Sequence, residues 1–115
     1  MHEYSIIQSL VRRVEIEALQ RHALSVGRIR IALGELSGVD PELLASAYEV
    51  FRERTICEGA PMEIRSVPAL WECSGCGRPF ARGEILQCPV CRRQARLASG
   101  DEIILEQIEM EVDDV

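Results

Sequence analysis

Apolar residues recur at three- and four-residue intervals near the start of the chain. Ile7, Leu10, Val11, Val14 and Ala18 share one face, the signature of an amphipathic helix. The pattern predicts a helix over residues 5–23, with Ser5 and Gln8 as a capping box. Glu17 stands four residues before Arg21 on the charged face, a favourable pair. Ile16 falls off the stripe and marks an exposed position or a contact surface. The period then changes to two. Ile29, Ile31 and Leu33 alternate with Arg28, Arg30 and Ala32, a half-buried strand over 28–33. Residues 34–38 read as a loop. Asp40-Pro41 is a helix start, with aspartate as N-cap and proline in the first turn. Leu43, Leu44, Ala47, Val50 and Phe51 continue that helix, and Arg54 suits its C-terminal end. A strand over 62–67 follows Gly59-Ala60-Pro61. A last strand spans 102–112, with Ile104, Ile108, Met110 and Val112 on one parity and Gln107, Glu109 and Glu111 on the other.

This order predicts an α+β fold: two helices on a small three-stranded mixed sheet, with an inserted zinc-ribbon-like module. The strand–helix–strand unit over 28–67 should pair its strands in parallel through a right-handed crossover. The chain returns to a strand after Gly100, so the cysteine-rich segment is an insertion and not a tail. Residues 1–67 and 101–115 then form the α+β domain, and 68–100 the four-cysteine domain. An insertion of roughly 30 residues buries no adequate core, so bound metal must supply its folding free energy.

Composition narrows the function. The 115 residues carry a net charge of −6, and aromatics make up 4%. An acidic balance argues against a nucleic-acid surface, and few aromatics leave few platforms for stacking bases. No run reaches the roughly 18 apolar residues of a membrane helix. No apolar stretch reads as a signal peptide, so a reduced, cytoplasmic protein is expected.

Four cysteines carry the clearest chemistry. Cys73-Ser74-Gly75-Cys76 and Cys88-Pro89-Val90-Cys91 are two Cys-x-x-Cys knuckles, each able to aim two sulfurs at one ion. Together they complete the tetrahedral four-thiolate shell of zinc. Two disulfides would need an oxidising compartment, and a redox dithiol would occur once, beside a βαβ unit. A shell of four thiolates leaves no open position, so this zinc is structural.

The terminus offers a second candidate. In Met1-His2-Glu3 the α-amine, the amide nitrogen of His2 and its imidazole can close fused rings on one metal. Glu3 adds an oxygen or another amide nitrogen. Such in-plane nitrogen ligation suits nickel(II) or copper(II). Three residues alone make a weak motif, and a polar terminus of no special role is the simpler reading of them. Among the remaining residues, His22 reads as a helix C-terminal or surface residue, and Cys57 as a small buried hydrophobe. Trp71 and Phe80 flank the first knuckle and read as packing the module against itself or against the main domain. Glu106, Glu109, Glu111, Asp113 and Asp114 form a solvated acidic edge and tail. No paired nucleophile and base and no phosphate-cradling loop points to an enzyme.

The combination of these motifs resembles the nickel metallochaperones of hydrogenase maturation, the HypA/HybF type. The matching pieces are Met1-His2-Glu3-Tyr4-Ser5, Gly34-Glu35-Leu36, Glu42-Leu43 and Pro68-Ala69. They continue through Cys73-x-x-Cys76-Gly77, Phe80, Cys88-Pro89-x-Cys91 and Ser99-Gly100-Asp101-Glu102. The resemblance implies transient Ni(II) at Met1, His2 and Glu3 and structural Zn(II) at Cys73, Cys76, Cys88 and Cys91. It implies delivery of nickel to nickel–iron hydrogenase, with a maturation GTPase, the hydrogenase large subunit and urease maturation proteins as partners. Gly77 and Arg92 follow the knuckles where some relatives carry histidine, so no cysteine-to-histidine ligand exchange is expected. The competing reading is a zinc-ribbon protein-docking module without transferable metal.

Overall fold

The computed structural model describes residues 2–112, with only the backbone of His2. Helix α1 (His2–Gln20) buries Ile7, Leu10, Val11, Val14 and Ala18, the face its sequence period selects. It begins three residues before Ser5. Ser5 therefore lies inside the helix, and the capping-box reading is corrected. The helix stops where His22 takes a left-handed φ of 54°, with its N–H bonded to the Leu19 carbonyl. Arg13 and Arg21 flank Glu17 at 3.3 and 3.8 Å.

Strand β1 (Ala23–Gly34) starts five residues earlier than the alternation indicated. Its inward positions are Val26, then Ile29, Ile31 and Leu33. The phase changes across Gly27 and Arg28, which hides the first turn of the strand from a strict period-two reading. Helix α2 (Pro41–Phe51) is capped by Asp40, whose carboxylate accepts from the N–H groups of Glu42 and Leu43 at 2.8 and 3.3 Å. The helix ends at Phe51 with Arg52 as its C-cap, and Arg54 lies beyond it at a φ of 65°. The C-terminal role read for Arg54 thus passes to Arg52. The Arg52 guanidinium donates to the Ala60 carbonyl and lies over the Tyr48 ring. Tyr4 of α1 meets Phe51 of α2 edge to face, centroids 5.4 Å apart.

Strand β2 (Met62–Val67) runs parallel to β1. The Ile29 N–H donates to Pro61, and six residues on in both segments the Glu35 N–H donates to Val67. The final strand, β6 (Ile103–Val112), is antiparallel to β1: Gly34 bonds to Glu102 while Ser25 reaches Glu111. The order β2-β1-β6 is the three-stranded mixed sheet. The inward side of β6 is Ile103, Leu105, Ile108 and Met110, whereas Ile104 and Val112 are exposed. The single apolar parity over 104–112 is therefore corrected, because the strand changes phase between Leu105 and Ile108. Outward, Glu63 pairs with Arg28 and Arg30, Glu109 with Arg28, and Glu106 with Arg65. Glu106 and Glu109 are paired and not merely solvated. Asp113 and Asp114 lie outside the described residues.

A second sheet holds β3 (Leu70–Cys73), β4 (Pro79–Ala81) and β5 (Ala95–Ser99) in the order β4-β3-β5, all antiparallel. The chain divides into two compact units. One comprises residues 1–32, 39–65 and 104–115, and the other 33–38 and 66–103.

Candidate metal centre

The second unit builds the same turn twice. In the first knuckle the Gly77 N–H donates to the Cys73 carbonyl at 2.9 Å, and the Cys73 N–H to Arg78 at 2.8 Å. In the second the Arg92 N–H donates to Cys88 at 2.8 Å, and the Cys88 N–H to Arg93 at 2.9 Å. Each turn closes with a left-handed residue just after its second cysteine, Gly77 at φ 78° and Arg92 at φ 59°. Glycine adopts that conformation without a Cβ clash.

These turns bring the sulfurs of Cys73, Cys76, Cys88 and Cys91 within 4.8 Å of one another. The Cys76 and Cys88 sulfurs are 3.8 Å apart. A tetrahedral ion with metal–sulfur bonds of about 2.3 Å sets its sulfurs about 3.8 Å apart. The cage therefore fits zinc in size, donor type and number. Phe80 is buried with Cys73 and Cys88, and Trp71 and Ala95 pack on that cluster. Trp71 and Phe80 thus serve the interior of the module, as their positions beside the knuckle suggested. A Cβ on Gly75 would approach the Cys91 sulfur to 3.5 Å and Arg93 Cδ to 3.1 Å, so the first knuckle has little room for a side chain there.

Backbone dipoles prepare the cage for thiolates. The N–H groups of Gly75 and Cys76 point at the Cys73 sulfur at 3.3 and 3.5 Å, and that of Cys91 at the Cys88 sulfur at 3.4 Å. The N–H groups of Cys76 and Gly75 draw the Cys73 thiol down to about 6. The Cys91 N–H likewise lowers Cys88. Cys91 is pushed up to about 12, first by its bond to the Cys76 sulfur and then by burial. Four sulfurs this close cannot all carry charge without a cation among them, and a divalent ion releases the remaining protons on binding.

Glu35 is a supporting residue that sequence reasoning missed. Its carboxylate accepts from the Ala69 N–H at 2.8 Å and pairs with Arg82 at 3.0 Å. Both partners lie more than thirty residues away, and no local motif announces such a link. The other candidates fall elsewhere. Met1 and the His2 side chain lie outside the described residues, and half-buried Glu3 sits in the first turn of α1. His22 is exposed past the end of α1. Cys57 is fully buried, and burial raises its thiol pKa. No helix among the described residues is long and apolar enough to cross a membrane.

Fold and cage define a small α+β protein with a paired-knuckle, four-thiolate metal module. Comparison with known proteins identifies its family. Residues 1–110 match the family described as "Hydrogenase/urease nickel incorporation, metallochaperone, hypA". The chain is 37% identical over 116 residues to a hydrogenase maturation factor HypA of Shewanella baltica, covering 99% of each chain. It is 38% identical over 117 residues to that of Wolinella succinogenes, covering 99% of this chain and 98% of the relative. The solution structure of the nickel metallochaperone HypA from Helicobacter pylori superposes with a TM-score of 0.74 at 30% identity, covering 96% of this chain and 98% of that one. A second HypA solution structure gives 0.81 at 31% identity, covering 98% of both. The chain belongs to the HypA family.

Proposed function

We propose that this protein is a nickel metallochaperone that delivers Ni(II) for the maturation of nickel–iron hydrogenase. The observation that carries the reading is the family match over residues 1–110, whose description is nickel incorporation. The metal centre adds a physical argument. Cys73, Cys76, Cys88 and Cys91 hold Zn(II) in a shell with no vacancy for a transient cargo. The zinc supplies a rigid cross-link for residues 68–100, and nickel needs a site elsewhere.

That site is Met1, His2 and Glu3, in the domain formed by residues 1–67 and 101–115. Helix α1 begins at His2, and first-turn amides have no intrahelical acceptor. Nickel can therefore displace the amide proton of His2 without breaking the helix ladder, and Glu3 adds a further donor. The positive end of the helix dipole favours the resulting amidate. The His2 imidazole and a free Met1 amine complete a nitrogen-rich shell suited to nickel(II). None of these groups is asked to do catalysis, and the protein acts as a carrier and not an enzyme. Its partners are the maturation GTPase, met through α1 around exposed Ile16, the hydrogenase large subunit and urease maturation proteins, in the cytoplasm.

The test is complementation. In cells lacking their own HypA, this chain should restore nickel-dependent hydrogenase activity, and the His2→Ala variant should not. Folded, zinc-loaded protein that accumulates without restoring activity would contradict the proposal.

A further inference from the structure

The cysteine module is charged unlike the rest of the chain. Between Cys73 and Ala98 stand five arginines and one acid, Glu84, in a protein of net charge −6. Arg82 and Arg96 are engaged with Glu35 and Glu72, both at 3.0 Å. Arg78, Arg92 and Arg93 have no carboxylate partner among the described residues. Arg78 instead lies over the Phe80 ring, 5.3 Å from its centroid.

Two of these unpaired guanidinium groups flank one groove. It is an open groove of about 590 Å³, with Phe80, Ile85 and Pro89 among its lining, Arg78 and Arg92 as its cations, and Glu84 as its one acid. Ile85 is 83% exposed and gives the groove an apolar wall with nothing packed on it.

The two knuckles provide an internal comparison. Their hydrogen bonds match, and both need a left-handed residue after the second cysteine. The first uses Gly77. The second uses Arg92, which bears a Cβ in a conformation that L-residues disfavour. Residues held in such conformations cluster at functional positions, and here the strained side chain lines the groove.

We infer that this groove docks a segment of a partner protein in which a carboxylate stands beside an aliphatic or aromatic side chain. The guanidinium fork of Arg92, aided by the charge of Arg78 in the same groove, receives the carboxylate in paired hydrogen bonds. The apolar neighbour lies on Phe80, Ile85 and Pro89. Glu84 repels a uniformly acidic run, so it selects an isolated acid next to an apolar residue. The groove shares no residue with Met1, His2 and Glu3 and does not depend on the nickel reading.

The test uses the full, zinc-loaded chain, ¹⁵N-labelled, titrated with a capped ten-residue peptide carrying a central Phe-Glu-Leu. A glutamine-for-glutamate version and a ten-nucleotide single-stranded DNA serve as competitors. Amide signals of residues 78–92 should shift saturably with the acidic peptide, and the glutamine peptide should bind at least tenfold more weakly. Arg92→Gly keeps the turn that Gly77 already makes, so the module stays folded, and it should weaken the acidic peptide tenfold or more. Zinc content is measured in each variant. If Arg92→Gly loses zinc, Arg78→Gln replaces it as the reading variant, and Arg12→Gln in the other unit should change nothing. Equal affinity for both peptides, unchanged affinity in the zinc-loaded arginine variants, or tighter binding of the DNA would overturn the inference.

Discussion

Gly34 and Gly100 press backbone against backbone. A Cβ on Gly34 would stand 2.3 Å from the carbonyl carbon and oxygen of Gly100, while Gly100 itself holds a φ of 103° over Ala69. Around this contact the Leu36 N–H donates to Gly100 at 2.6 Å and the Gly34 N–H to Glu102 at 2.8 Å. No side chain fits, and no flexible neighbour can give way. Gly34→Ala should destabilise the protein by about 1–3 kcal/mol, the usual range for overpacking. Gly38 has a positive φ and open space around it, so Gly38→Asn should be tolerated. Urea unfolding of the two zinc-loaded variants checks the contrast, and equal losses would show that crowding at Gly34 is not the cause.

Asp40 is the N-cap of α2 and satisfies two of its free amides. Asp40→Ala should cost about 1 kcal/mol, and Asp40→Ser much less, because a hydroxyl can accept the same bond. Thermal unfolding of the pair measures the cap alone.

The outward face of the mixed sheet gives the first unit an acid-dependent component. Hydrogen bonds and charge from Arg30 and Arg28 hold Glu63 below its ordinary value of 4.5, and Arg65 does the same to Glu106. A carboxyl depressed in the folded state stabilises above its unfolded pKa and loses that contribution as pH falls through the folded value. Glu63→Gln should therefore lower the urea midpoint at pH 7. The gap between variant and wild type should close as pH falls below 4.5. A gap that persists undiminished at lower pH would assign the effect to packing. The groups are exposed, so the effect is modest and salt-sensitive.

Thiol counting separates the five cysteines. Cys57 is fully buried with a raised pKa, whereas the other four are held as one cluster. With zinc bound, a thiol reagent should react slowly with all five. Chelation should release four fast thiols, and the fifth should appear only in denaturant. Five fast thiols on chelation alone would mean that the first unit does not survive loss of the metal.

The elements most legible in the sequence were those whose signal is local. The face of α1 follows from Ile7 to Ala18 because helical period alone selects it, and the Asp40-Pro41 start of α2 is a cap chemistry written in two residues. Cys73 to Cys91 announced their cage by spacing, since each knuckle closes within a few residues. Ser5 misled because helix propensity continues upstream of a good capping residue. The early part of β1 and the inward side of β6 were obscured where each strand changes phase, near Gly27 and near Glu106. Strands β3 to β5, three to five residues long, have no period long enough to read. Glu35 reaching Ala69, and Arg92 sharing a groove with Arg78, are tertiary facts with no local signature.

The proposed nickel site lies at the terminus, and calorimetry of nickel binding with an extended N-terminus tests it most directly. The α-amine, with an unperturbed pKa of about 7.7–8.0, and His2, at about 6.5, must both lose protons to bind metal. One residue placed before Met1 converts that amine into an amide and leaves the cysteine cage untouched. The extended protein should remain folded and zinc-loaded, yet lose most nickel binding at neutral pH. Without the extension, affinity should fall as pH drops below 7. Unchanged nickel affinity in the extended, zinc-loaded protein would contradict the site at Met1, His2 and Glu3.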